Sequence, residues 1–198
     1  MPGTIAHTQS RGWRRAMQQT KEPGPALLTE WSSQGATRSG FDLNVRPANP
    51  SDKRTLADFF GRVKPQDLRF RFLSAMKAIW PRLAYELVNI DHTDTENLLA
   101  FGDDGQLVAS AMIATSDRDR RDAEVAITVR SDLKEHGIGW TMLERACDYA
   151  RSRGFKRLHS IQLSDDRAAI GLQEEMGFHA HPCPDDMSVT ILSKDLQG

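Results

Sequence analysis

With 198 residues and 39% apolar side chains, the chain is long enough for one globular domain and a tail. Its 26 basic and 27 acidic residues leave a formal net charge of −1, which argues against nucleic acid or an anionic membrane surface as partner of the whole molecule. No apolar run is long enough to cross a bilayer. The two cysteines do not make a disulfide framework. Cys147 falls on the apolar face of a helix, Cys183 sits between Pro182 and Pro184 in an expected loop, and both fit a reducing cytoplasm.

Residues 1–40 differ in composition from the rest of the chain. Gly, Ser, Thr, Gln and Pro dominate, Pro23-Gly24-Pro25 breaks any helix, and nothing resembles the apolar core of a secretory signal. Arg11, Trp13, Arg14 and Arg15 offer a short docking motif, and Trp31 a second anchor. The expectation taken is a disordered tail over 1–40 ahead of a folded domain over 41–198.

The domain opens with a short strand over 44–46. Pro50-Ser51-Asp52 then caps a helix whose Leu56, Phe59, Phe60 and Val63 share one face, and Lys64-Pro65 ends it. A second helix is expected over 67–76. Phe70 and Phe72 are two apart, so they do not both centre one helical stripe; each is core unless one lines an acceptor groove. Trp80-Pro81 opens a further helix through Val88. Residues 97–101 and 107–114 read as strands joined by Gly102-Asp103-Asp104-Gly105, a hairpin signal. Residues 116–122 are a mixed-sign charge run, expected as a solvated loop.

The next stretch organises the rest of the chain. From Glu124 onward, Val125, Ile127 and Val129 alternate along a strand. Ile138, Met142, Leu143, Ala146, Cys147 and Ala150 recur at helical spacing, so one face of that helix is buried, and Arg153-Gly154 stops it. Between strand and helix lies a glycine-bearing turn over 132–140. Such a turn leaves backbone N–H groups unpaired at the positive end of the helix dipole, a site for a phosphate-sized anion. Gly137 and Gly139 remove side chains where a ligand would approach the backbone. The spacing is wrong for a dinucleotide turn, since the third glycine and the acidic ribose partner are missing, and there is no Gly-Lys-Ser/Thr.

A strand over 158–163, a helix over 166–175 stopped by Gly177, and a strand over 189–192 complete the pattern. His179 and His181 alternate before Pro182. Metal sites recruit three or four ligands, however, and no others stand at fitting spacing; the two are read as loop residues and no metal is expected. Helices and strands alternating around one β-α-β unit give a mixed α/β sheet of six or seven strands.

Lys134-Glu135-His136-Gly137-Ile138-Gly139 resembles the Gln/Arg-x-x-Gly-x-Gly/Ala pyrophosphate loop of the GNAT N-acyltransferases. The resemblance extends over residues 44–196. Residues 44–52, Phe59-Phe60, Arg69-Phe70-Arg71-Phe72, Ala123-Glu124-Val125-Ala126 and 163–178, ending Met176-Gly177-Phe178, are similar to the Pat-like protein lysine acetyltransferases of bacteria. It implies a GNAT fold, a mixed and mostly antiparallel sheet of six to seven strands flanked by about four helices. In that fold the strand of Glu124 splays from the strand over 158–163 and leaves a slot for pantetheine. Acetyl-CoA is the implied acyl donor. Its binding residues would be Ile127, Thr128 and Val129 on the strand, Lys134, Glu135, His136, Gly137, Ile138, Gly139 and Trp140 on the loop, and Asp166.

Acyl transfer from a thioester to an amine has three requirements. The amine must lose a proton, because a lysine ammonium with a reference pKa of about 10.4 is not a nucleophile at neutral pH. The carbonyl needs a donor for its developing oxyanion, which strand N–H groups around Ile127 to Val129 supply. The carrier's pyrophosphate must be held, which is the task of residues 134–139. Glu124 shares a strand face with the small Ala126 and Thr128, and in the Pat-like enzymes the glutamate of this Ala-Glu-x-Ala pattern is the proposed general base.

Three positions depart from the family pattern. Lys134 replaces a glutamine or arginine and is electrostatically favourable beside pyrophosphate. Asp166 replaces an asparagine and lacks its amide donor. Gln173 stands where many GNAT enzymes carry a tyrosine general acid, and it has no proton to give.

The reading is an acetyl-CoA-dependent N-acetyltransferase acting by direct transfer on a protein lysine. An acyl-CoA synthetase, the acceptor favoured by the Pat-like enzymes, is the implied partner. A small-amine acetyltransferase is the alternative within the enzyme class. A non-catalytic acyl-CoA-binding sensor is the alternative outside it, because Asp166 and Gln173 depart from common usage. The location expected is cytoplasmic, as monomer or homodimer, with neither nucleic acid nor membrane as partner.

Overall fold

The structure is a computed structural model that describes residues 30–64, 80–115 and 121–197. In chain order its elements are β1 (Ser33–Ala36), β2 (Asp42–Pro47), α1 (Lys53–Arg62), α2 (Trp80–Val88), β3 (Thr95–Phe101) and β4 (Leu107–Thr115). There follow β5 (Asp122–Val129), α3 (Ile138–Ser152), β6 (Arg157–Leu163), α4 (Arg167–Glu175), β7 (His179–Cys183) and β8 (Asp186–Asp195).

The strands form one sheet in the order β1-β2-β3-β4-β5-β6-β8-β7. Among the described strands only β5 and β6 run parallel; every other neighbouring pair is antiparallel. Central β4 is buried along all but its last residue, which explains its nearly unbroken apolar run. Ala111, Ile113, Ala123, Val125 and Leu158 pack beneath α3 through Ile138, Met142, Leu143, Ala146 and Ala150, with Ile170 of α4 in the same core. On the opposite face, Leu56, Phe59 and Phe60 of α1 and Ala84, Leu87 and Val88 of α2 pack on Leu99 and Met112. The start of α1 is tied to β2 by Arg46, whose two terminal nitrogens reach the Asp52 carboxylate at 2.7 and 2.6 Å. Asp52 Oδ2 also accepts from Asn49 N at 2.9 Å, closing a capping box.

Among the described residues the sheet has eight strands, one or two more than the six to seven expected. The additional strands, β1 and β7, are its two edges. Ser33-Gln34-Gly35-Ala36 carries no β-branched or aromatic residue, and β7 contains Pro182; both form because a neighbouring strand offers free backbone. His179 and His181 are therefore exposed strand residues rather than loop residues, and Cys183 ends that strand in a buried position.

The expected tail boundary at residue 40 is also corrected. Residues 33–36 pair with β2 from Ser33↔Val45 to Ala36↔Asp42, and Trp31 meets Tyr149 of α3 edge-on, with ring centroids 5.2 Å apart. Residues 1–29, the helix expected over 67–76 with Phe70 and Phe72, and residues 116–120 of the charge run lie outside the described residues.

Candidate active site

Pairing between β5 and β6 covers only Asp122↔Arg157, Ala123↔Leu158 and Glu124↔His159. Beyond that register both strands continue but part from each other, β5 to Val129 and β6 to Leu163. The gap is the floor of a cleft of about 590 Å³ walled by Ala126–Val129 of β5, Ile161 and Gln162 of β6, the start of α3 and one side of α4.

Backbone direction follows from one bond. Arg130 N donates to Val108 O of β4 at 2.8 Å, and the β4–β5 register runs without a shift back to Ala123. By the two-residue alternation of an antiparallel ladder, the amides of Thr128 and Ala126 also turn to β4. Those of Ile127 and Val129 face the opening.

At the far end of β5 the chain turns through residues 131–133 and enters α3. Gly137 is the helix N-cap, with φ at +72° and no side chain satisfying the first-turn amides. Those N–H groups are left to a ligand. Glu135 also adopts a positive φ of 72°, unusual for a residue with a β-carbon and a mark of a strained functional turn. The turn is held from behind: Thr37 Oγ1 and Ser39 Oγ donate to the His136 carbonyl at 2.7 and 2.6 Å. A β-carbon on Gly137 would lie 3.3 Å from Thr37 Cβ.

Of the residues expected at the cofactor, Ile127, Thr128, Val129, Lys134, Glu135, Gly137, Ile138, Gly139, Trp140 and Asp166 line the cleft. His136 does not. Its carbonyl is taken by Thr37 and Ser39, and its ring lies edge-on to Phe41, with centroids 5.7 Å apart. Asp166 has a second task as N-cap of α4, where Oδ1 accepts from Ala169 N at 3.1 Å. Gln173 lines the cleft, is buried, and accepts a hydrogen bond from Ser160 Oγ.

Glu124 is 4% exposed and is the last β5 residue in register with β6. Its carboxylate Oε2 stands 3.9 Å from His159 Nε2. It does not itself line the cleft, but Ala126, the next residue on its face, does. The antiparallel register sets Ala126 beside Met112, so Glu124 faces the side of the sheet covered by α1 and α2.

Two residues at the site had not been found from sequence. His159 becomes Glu124's neighbour only through a pairing 35 positions away. Arg38 lines the cleft from the segment read as tail. Neither cysteine reaches the cleft; both are buried, and burial pushes the Cys147 thiol above its ordinary pKa.

The splayed β5–β6 pair beside the glycine-turned start of α3 is the arrangement that the resemblance to the N-acyltransferases implies. The chain matches the model of the acetyltransferase (GNAT) family over residues 66–178. It is 28% identical over 155 residues to an acetyltransferase of Pseudomonas aeruginosa, covering 77% of this chain and 83% of that one. Its fold matches the GNAT domain of PAT from S. lividans with a TM-score of 0.76 at 21% identity, over 84% of this chain and 98% of that one. It also matches yncA of Salmonella typhimurium, solved with its cofactor acetyl-CoA, with a TM-score of 0.63 at 17% identity over 78% and 94% of the two chains. This protein belongs to the GNAT family of acetyltransferases. Its activity is that of the family, acetyl-CoA-dependent N-acetylation.

Proposed function

We propose that this enzyme acetylates a lysine on a protein by direct transfer, with Glu124 as the general base. The observation that carries the base is position. Glu124 sits buried at the apex where β5 and β6 part, and the phosphate-binding turn sits at the open end of the same slot. Val129 is five strand steps beyond Glu124, about 17 Å at ~3.3 Å per residue. A carrier whose phosphates rest on the turn therefore has length enough to bring its thioester towards the carboxylate.

The roles follow from this placement. Glu124 takes the proton from the acceptor ammonium, and the amine then attacks the thioester carbon. The cleft-facing amides of Ile127 and Val129 stand where the carbonyl oxygen gains charge. As the C–S bond breaks the nitrogen loses its second proton to solvent, and because Gln173 offers only an amide the departing thiolate draws its proton from solvent as well. With both thiols buried away from the cleft, a cysteinyl acyl-enzyme has no nucleophile, which supports direct transfer.

A protein acceptor is favoured by what surrounds Glu124. Among the described residues the register places Asn97, Leu99, Ser110, Met112, Ala114, Ala126 and Thr128 on its face of the sheet, and the one other carboxylate of β5 on that face, Asp122, lies two residues back along the strand, away from the cleft. A polycationic small amine calls for a pocket lined with several. The test is transfer of labelled acetyl groups to a purified acyl-CoA synthetase, run beside polyamines and aminoglycosides. The proposal expects label on a synthetase lysine, with loss of that label in Glu124→Gln. Robust acetylation of a polyamine with none of the synthetase would overturn the lysine reading.

A further inference from the structure

We infer that Arg38, carried on the β1–β2 turn ahead of the segment matched by the family model, is a cationic clamp on a phosphate of the coenzyme A carrier. It rests on acetyl-CoA being the donor, but not on the identity of the acceptor or of the base.

Three observations carry it. The Arg38 guanidinium carbon lies 3.9 Å from the centroid of the Trp140 ring. Trp140 is the third residue of α3, so the cation is held beside the first-turn amides that await an anion. Arg38 is also placed by its neighbours on both sides. Thr37 and Ser39 donate to one and the same carbonyl, that of His136. Thr37 O further accepts from Gly40 N at 2.9 Å, and Thr37 N donates to Phe41 O at 2.8 Å. The turn and the phosphate-binding loop thus form one unit, with Arg38 its outermost member at the cleft wall. Finally, the charge is available. Among the described residues Arg38 forms no ion pair and no hydrogen bond, and stacking on Trp140 leaves the guanidinium edge and its N–H groups open.

Guanidinium recognises phosphate with paired, charge-assisted hydrogen bonds. Coenzyme A offers two sources of that chemistry, its diphosphate and the 3′-phosphate of its ribose. Lys134 lines the same wall, while Glu135, Asp166 and Glu175 also line the cleft and oppose an anion there. A second cation beside Lys134 offsets that repulsion.

The experiment is calorimetric titration of the full-length protein and its Arg38→Met and Arg38→Lys variants with coenzyme A and with 3′-dephospho-coenzyme A. Methionine keeps an extended apolar side chain over Trp140 without the charge. Arg38→Met is expected to bind coenzyme A about tenfold more weakly, with Arg38→Lys between it and the wild type. The deficit should shrink as salt is raised. If the deficit vanishes with the dephospho form, Arg38 holds the 3′-phosphate; if it persists, Arg38 holds the diphosphate. A folded Arg38→Met protein that binds coenzyme A as tightly as wild type overturns the clamp. In that case acetyl transfer by the same variant still reports independently on the donor.

Discussion

Glu124 and His159 face each other across β5 and β6 at the last register pair before the strands part, with Oε2 and Nε2 3.9 Å apart. The apex of a splayed pair is a sheltered place for a carboxylate, between core on one side and the donor slot on the other. Gln at 124 keeps the shape and size of the side chain beside His159, so the fold should hold. It loses the ability to take a proton. Glu124→Gln is expected to lower kcat by about 10²–10⁴ and to leave acetyl-CoA affinity near wild type. Equal rates for the two proteins from neutral to alkaline pH would make Glu124 structural.

The two glycines of the turn differ in what they tolerate. At Gly139 a β-carbon would meet Leu172 Cδ1 at 3.5 Å and Val129 Cγ2 at 3.9 Å, ordinary contacts. Gly139→Ala should therefore stay close to wild type. Gly139→Glu places a carboxylate at the N-terminus of α3 where phosphate belongs, and should weaken acetyl-CoA binding by about two orders of magnitude in a folded protein. Gly137 is different, because its φ of +72° penalises any β-carbon and Thr37 stands 3.3 Å away. Gly137→Ala should lose about 1–2 kcal/mol of stability. Calorimetry and thermal melts on the three variants separate ligand loss from strain. Full affinity in Gly139→Glu would remove the turn from the cofactor site.

Legibility in the sequence followed the strength of local signals. The apolar stripe of α3 read from Ile138 to Ala150 is the stripe buried beneath the sheet, because 3.6-residue periodicity is a local property. The hairpin at Gly102–Gly105 was equally plain, since its turn is dictated by residues that adopt it; Gly105 has φ at +70°. The edge strands were not legible. Ser33–Ala36 has no pattern of its own, and its order comes from β2 and from Trp31 on Tyr149. The same gap hid Arg38, which reaches the cleft only because Thr37 and Ser39 bind a carbonyl about a hundred positions away. The splay of β5 from β6, implied by family resemblance alone, is a tertiary event that no strand pattern encodes.

The Arg46–Asp52 pair makes a stability prediction independent of catalysis. Asp52 is almost fully buried, with its side chain 6% exposed, while Arg46 is 28% exposed. Removing the carboxylate leaves a partly solvated guanidinium and opens the capping box with Asn49. Asp52→Ala should lose about 3 kcal/mol, a fall in melting temperature of about 6–12 °C for a chain of this size. Asp52→Asn retains an acceptor and should lose less. A melt of Asp52→Ala within a degree or two of wild type would mean that α1 is held by its apolar face alone.

The N-terminal segment supplies the last prediction, through two truncations. One removes residues 1–29 and the other residues 1–40. Only the second removes Trp31, β1, and the Thr37 and Ser39 hydroxyls that hold the His136 carbonyl. Trp31 is half-buried against the core beneath α3, so its loss should lower stability by about 2 kcal/mol, less than a fully buried tryptophan would. The longer truncation should therefore melt about 4–8 °C below the shorter one. It should also bind coenzyme A more weakly, because the turn that receives the phosphates loses its brace and Arg38 together. Trp31→Ala in the full chain separates the two effects, since it weakens packing on Tyr149 while leaving the β1–β2 turn in sequence. Its melting temperature should fall with coenzyme A affinity largely kept. If both truncations melt together and bind coenzyme A equally, the pairing of β1 with β2 contributes nothing to the fold or the site.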